Sequence, residues 1–142
     1  MFKISKTFSF DMAHLLDGHD GKCQNLHGHT YTLEVELSAE LIEHGPKKSM
    51  VADYGDIKAT VNRLILQDLD HAFLYDKNSP RESAIAELLI ELQSKVYALE
   101  TRTTAEEIAR FIYRKLKTQS DLPISAVRLW ETPSSFCEYK ES

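Results

Sequence analysis

The chain has 142 residues, the length of one ordinary domain, and its 42% hydrophobic and 27% charged composition is that of a soluble globular protein with material for a full core. Five Gly and four Pro rule out a collagen-like or low-complexity chain, and apolar runs as short as Leu64-Ile65-Leu66 exclude a membrane-spanning helix. Seventeen basic against 22 acidic residues give a net charge of −5 with no basic cluster, which argues against nucleic-acid binding, and Met1 to Lys6 lack the apolar stretch of a signal peptide, which points to a cytoplasmic protein.

From Phe8 to His14 the parity alternates as in a strand, with Phe8, Phe10, Met12 and His14 on one face. Leu15 to Gln24 is rich in Gly and Asp and reads as a loop. From His27 to Leu37 the alternation is cleaner: His27, His29, Tyr31, Leu33, Val35 and Leu37 share one side, while Thr30, Thr32, Glu34 and Glu36 share the other. His44 to Met50, with Gly45-Pro46, forms a turn or loop. Asp53 then starts a helix with Ile57, Val61, Leu64 and Ile65 as its stripe, and a second helix is predicted from about Ser83 to Leu99. A third follows Thr103 or Thr104, whose spacing to Glu106 and Glu107 suits a capping box, with Ile108, Phe111, Ile112 and Leu116 inward. Pro123 ends that region. Ala126 to Thr132 is the final predicted strand, with Val127, Leu129 and Glu131 on one face. With no repeat and no linker, residues 1–142 read as a single α+β domain.

Four of the six histidines fall between residues 14 and 29. His27-Gly28-His29 sets two imidazoles on one strand face about 7 Å apart along the chain, and Gly28 allows close backbone approach. Antiparallel pairing can bring His14 alongside. Three neutral imidazoles around zinc leave a fourth position open, the arrangement of a catalytic site. Three histidines on apolar-facing parity outweigh the alternative of core histidines satisfied by hydrogen bonds. His19, in a loop beside Asp20, is predicted to be exposed and not a ligand.

Cys23 lies in a polar, Gly-rich loop four residues before His27, and Lys22 and a nearby metal would favour the thiolate that a base or nucleophile needs. The alternative is Cys23 as a fourth ligand closing a structural zinc site. In a cytoplasmic chain Cys23 and Cys137 are expected to be free thiols. Asp70-His71 places a carboxylate beside an imidazole that it can orient for proton transfer, although an Asp-His dipeptide is usually surface. Glu131, on buried parity, needs a partner: a ligand with N–H donors, or a neighbouring Arg or Lys.

Together these residues resemble the 6-pyruvoyltetrahydropterin synthase superfamily. The likeness rests on Cys23-x-x-x-His27-Gly28-His29 with an upstream Phe10-x-x-x-His14. Val51-Ala52-Asp53-Tyr54, Leu69-Asp70-His71, Thr104-Ala105-Glu106 and Trp130-Glu131-Thr132 follow in that family's order. The Cys-to-His spacing is similar to that of the bacterial 6-carboxytetrahydropterin synthases of queuosine (7-deazaguanine) biosynthesis. The resemblance implies one zinc per subunit on His14, His27 and His29. It implies Cys23, Asp70 and His71 as the proton-transfer set, and Glu131 and Thr104 as substrate-binding residues, with Glu131 anchoring the pterin N–H edge. It also implies the tunnelling fold, a four-stranded antiparallel sheet with helices on one face, in trimer-based homo-oligomers, a hexamer favoured, with active sites between subunits. Two departures stand out: Thr103 where the family commonly has Pro, and a longer segment from Tyr75 to Arg102, read as a helical insertion. Lys22, Arg81 and Arg102 are candidates for holding a triphosphate.

The implied activity is a zinc-dependent lyase acting on 7,8-dihydroneopterin triphosphate to give 6-carboxy-5,6,7,8-tetrahydropterin, acetaldehyde and triphosphate. Its rivals are a pyruvoyl synthase on the same substrate, a non-catalytic zinc protein closed by Cys23, and, more weakly, a zinc hydrolase.

Overall fold

Two long strands carry the architecture. A computed structural model describes residues 1–142, in which β1 (Phe2–His14) and β2 (His27–Ala39) pair antiparallel along their whole length, from Phe2 against Ala39 to His14 against His27. β1 begins earlier than its alternation suggests because Lys6 interrupts the inward parity of Ile4 and Phe8. β5 (Ile124–Thr132) adds antiparallel to β2, and β6 (Ser135–Tyr139) returns alongside β5. β6 lies beyond the last strand predicted, since a short outer strand with Phe136 largely exposed shows no buried alternation.

The sheet is not the four-stranded antiparallel one implied by resemblance. It has six strands in the order β4-β3-β1-β2-β5-β6. The first four strands described are the antiparallel part. β3 (Phe73–Asp76) and β4 (Val96–Leu99) extend it in parallel, β3 touching β1 at Ala13. The segment read as one helix to Leu99 is therefore α3 (Pro80–Glu91) followed by a strand. No glycine or proline marks its end, because Gln93 itself adopts the left-handed conformation (φ 61°) that glycine normally supplies at a helix terminus.

α1 (Tyr54–Val61) starts at Asp53, whose carboxylate accepts the Gly55 N–H at 2.8 Å. It continues through a π turn, Asn62–Leu66, into the short α2 (Gln67–Leu69). α4 (Ala105–Gln119) is capped by Thr104, which accepts from the Glu107 N–H at 3.2 Å. The inward stripes of α1 and α4, Ile57 and Val61 with Ile108, Ile112 and Leu116, cover the apolar face of β1, β2 and β5. Each such side chain, fully buried, contributes about 1.5–3 kcal/mol.

Helices do not all lie on that face. α3 packs through Ala86 against Leu15 and Phe73, with Ala13, Tyr75 and Val96 around them. Those strand residues have the opposite parity to Met12 and Leu74 of the main core. The longer segment thus builds a small second core on the reverse side of the sheet, beside the end of β1 that carries His14.

Candidate metal centre and active site

The site forms where β1 ends and β2 begins. His14 and His27 are direct cross-strand partners, and His29, two residues on, faces Met12 on the same side. A Cβ at position 28 would come within 3.3 Å of the Met12 carbonyl oxygen, so glycine is what lets the strands close there. The ring centroids lie 4.6 Å (His14–His27), 5.2 Å (His14–His29) and 4.9 Å (His27–His29) apart. One nitrogen from each imidazole lies within 4.8 Å of the other two.

Hydrogen bonds at the far side of two rings decide which nitrogens point inward. His14 Nδ1–H donates to the Thr103 carbonyl at 2.8 Å, with Thr103 Oγ1 at 3.2 Å. His27 Nδ1–H donates to the Asn25 carbonyl at 2.7 Å. Each Nε2 is then left with its lone pair, and both are buried without a hydrogen-bond partner. Burial, together with the charges of His27 and His29, presses the His14 imidazole down to about 4 against the opposing pull of the Thr103 carbonyl. Burial likewise lowers His29. Burial thus favours the neutral form of His14 and His29, and with the inward Nε2 of His27 the three rings make a donor set that fits a metal ion.

Glu131, near the end of β5, meets the cluster with Oε2 at 3.5 Å from both His14 Nε2 and His29 Nε2. Burial and the Glu106 carboxylate raise its proton affinity. Glu106, read from sequence as part of a helix cap and of the Thr104-Ala105-Glu106 step but given no site role, thus belongs to the site's surroundings. Its signal was its place two residues after Thr104, at the start of the helix that abuts β5.

Asp70 and His71 follow α2 on the reverse side of β1. Asp70 Oδ1 accepts from His71 Nδ1 at 2.9 Å and from the Asp11 N–H at 3.1 Å, and the His71 N–H donates to the Asp11 carbonyl at 2.6 Å. His71 holds a left-handed backbone (φ 64°) and a side chain 73% exposed. It lines an open cleft of about 650 Å³ together with Leu26, His29 and Lys95.

Cys23 sits in a 3₁₀ turn, Lys22–Gln24, held by a 2.8 Å bond from the Leu16 N–H to its carbonyl. Its thiol is outside the metal-competent group and makes no hydrogen bond to Asp70 or His71, and both cysteines are free. His19 is also outside the group, accepting from the Gly21 N–H at 2.8 Å. Among the triphosphate candidates, Arg81 reaches Asp17 at 3.6 Å and Arg102 donates to the Asp17 carbonyl at 3.3 Å. Lys22 makes no ion pair. Thr103 and Tyr31 were missed as site residues; the first bonds His14 from a distant segment, and the second shares the parity of His27 and His29 but reads as core.

Comparison with known proteins identifies the family. Residues 3–142 match the family model for 6-pyruvoyl tetrahydropterin synthase. The chain is 64% identical over 141 residues to the 6-carboxy-5,6,7,8-tetrahydropterin synthase of Haemophilus influenzae, covering 99% of this chain and 100% of that protein. It is 32% identical over 163 residues to the enzyme of the same name from Aquifex aeolicus, covering 99% and 98%. An uncharacterized protein of Wolinella succinogenes shares the fold (TM-score 0.84, 21% identity, 99% and 98% covered). So does the 6-pyruvoyl tetrahydropterin synthase of Caenorhabditis elegans (TM-score 0.72, 27% identity, 99% and 96% covered). The chain is a lyase, and it belongs to the 6-pyruvoyl tetrahydropterin synthase family, on the side of the bacterial 6-carboxytetrahydropterin synthases.

Proposed function

We propose that the protein is a zinc-dependent carbon–carbon lyase of queuosine (7-deazaguanine) biosynthesis. With one water, it converts 7,8-dihydroneopterin triphosphate to 6-carboxy-5,6,7,8-tetrahydropterin, acetaldehyde and triphosphate. The observation that carries the reading is the convergence of three imidazoles beside a half-buried carboxylate, Glu131. His14, His27 and His29 hold the zinc, which supplies Lewis acidity to the side-chain oxygens of the substrate.

The chain's own residues do the rest. Glu131 accepts the ring and exocyclic N–H groups of the pterin in a charge-assisted pair, and Thr104 flanks the ring from the start of α4. His71, with Nδ1 on Asp70, has Nε2 free to take or give a proton in the cleft it shares with His29. Cys23 is the second proton-transfer group. The reading includes a site completed between subunits of a trimer-based homo-oligomer, a hexamer favoured. The enzyme works in the cytoplasm; no helix of the structure is long and apolar enough to cross a membrane.

The deciding experiment incubates the purified, zinc-loaded protein with dihydroneopterin triphosphate and identifies products by mass. Acetaldehyde with the carboxylated pterin supports the reading. A pterin that keeps its three side-chain carbons would make the protein a pyruvoyl synthase, and no turnover with zinc bound would favour a non-catalytic role.

A further inference from the structure

Three buried side-chain polar atoms in this protein have no hydrogen-bond partner: Nε2 of His14, Nε2 of His27 and the hydroxyl of Tyr31. The two nitrogens face the metal position. Tyr31 belongs to the same cluster, because its ring stands edge-on to His29 at 5.4 Å and to His14 at 6.4 Å. It follows His29 on the inward parity of β2 and is fully buried. Its other face stacks on Phe10 at 5.2 Å and 10°.

All of that packing is aromatic, and phenylalanine would supply it without a hydroxyl. A buried O–H with no acceptor costs about 1–3 kcal/mol, a large part of a domain's net stability. The neighbouring histidines do not relieve it: His14 and His27 present lone pairs at Nε2, yet none is within hydrogen-bond reach of the phenol. An unpaired donor beside two unpaired acceptors is free to bond an oxygen carried by a bound molecule.

We propose that the Tyr31 hydroxyl donates a hydrogen bond to an oxygen atom of the molecule bound at the three-histidine centre. On the reading given above, that atom is a side-chain oxygen of the substrate, and Tyr31 is then a catalytic residue that stabilises charge developing there. The chemistry required of the ligand is an oxygen acceptor carried beside the imidazoles, separate from the N–H edge that Glu131 takes.

The test compares wild type with Tyr31→Phe in four measurements: metal content, melting temperature of the metal-free protein, turnover to acetaldehyde, and affinity of the cobalt-loaded protein for acetohydroxamate. The last, followed by visible absorption, puts oxygens at the metal without any pterin. In Tyr31→Phe we expect one metal per chain, an unchanged or higher melting temperature, kcat/KM lower by about 10- to 100-fold and hydroxamate binding about tenfold weaker. A melting temperature several degrees lower with unchanged turnover and hydroxamate affinity would overturn the proposal and make the phenol a structural group bonded to an internal water. If wild type releases no acetaldehyde, the enzymatic reading falls, while the hydroxamate comparison still decides the role of Tyr31.

Discussion

His14 and His71 are both imidazoles anchored through Nδ1 beside strand β1, and they are held in opposite ways. His14 is 1% exposed and gives its Nδ1–H to a backbone carbonyl, while His71 is 73% exposed and pairs with a carboxylate. The carbonyl fixes the tautomer, and burial keeps His14 neutral against that carbonyl's pull, leaving a lone pair at Nε2 that could serve a metal. A carboxylate instead orients the exposed His71 ring through Nδ1 and leaves its Nε2 facing the open cleft. Burial and partner type, more than residue type, separate a buried cluster that could hold a metal from an exposed, carboxylate-paired imidazole.

The comparison can be broken most directly at the ligands. His27→Ala should abolish stoichiometric zinc, because two remaining imidazoles hold the ion poorly. Full occupancy by metal analysis would refute the three-histidine centre. Cys23→Ala should keep zinc and fold but lose about 10²- to 10⁴-fold in turnover, the range for a positioned proton-transfer group. Zinc lost together with activity would make Cys23 a ligand instead.

Glu131→Gln keeps the shape but turns one acceptor into a donor facing a donor. Substrate binding should weaken by about 2–4 kcal/mol with zinc content unchanged, and near-normal affinity by calorimetry would remove the anchor role.

The neutrality of His14 has a pH signature in the metal-free protein. Its folded value, about 4, lies below the ordinary 6.5, so between these values the unfolded chain binds a proton that the folded chain refuses. Stability from this group is present above pH 6.5 and is lost as the pH falls toward 4, by at most about 3 kcal/mol. Urea midpoints at pH 7 and 4.5 measure the loss, and the His14→Gln variant should lack that part of it.

The smallest effect is expected at Thr103. Thr103→Val leaves the carbonyl on His14 but removes the hydroxyl 3.2 Å away, which also reaches the Leu15 carbonyl at 3.3 Å. Metal affinity by chelator competition should fall about tenfold, and Thr103→Ser should restore it. Equal affinities in all three would assign the orienting role to the carbonyl alone.

The clustering of the three histidines was legible because strand periodicity converts sequence into direction: with a period of two, His27 and His29 must share a face, and pairing with β1 adds His14. Asp53 was legible as a cap for a similarly local reason, and the local pattern narrows the cap of α4 to Thr103 or Thr104, of which the structure selects Thr104. Where the determining contact is remote or the local sign is missing, the sequence is silent. Gln93 takes a glycine's conformation at the end of α3, so the β4 strand hid inside an apparent helix. α3 covers the reverse face because of how β3 joins β1, which no local pattern records. Tyr31 looks like one more core aromatic until the partners of its hydroxyl are counted. Thr103 lies 89 positions from His14 in the chain.

That last separation bears on the order in which the protein matures. The β1–β2 hairpin brings all three imidazoles together near the start of the chain, and such local pairings form early. The carbonyl that orients His14 belongs to the connection into α4 and is made only after most of the chain, including β3 and β4. A nascent hairpin would therefore offer an ion three mobile rings, and firm retention would begin when the Thr103 segment docks. Metal added during refolding should exchange freely at first and become slow to remove only in step with the docking of α4.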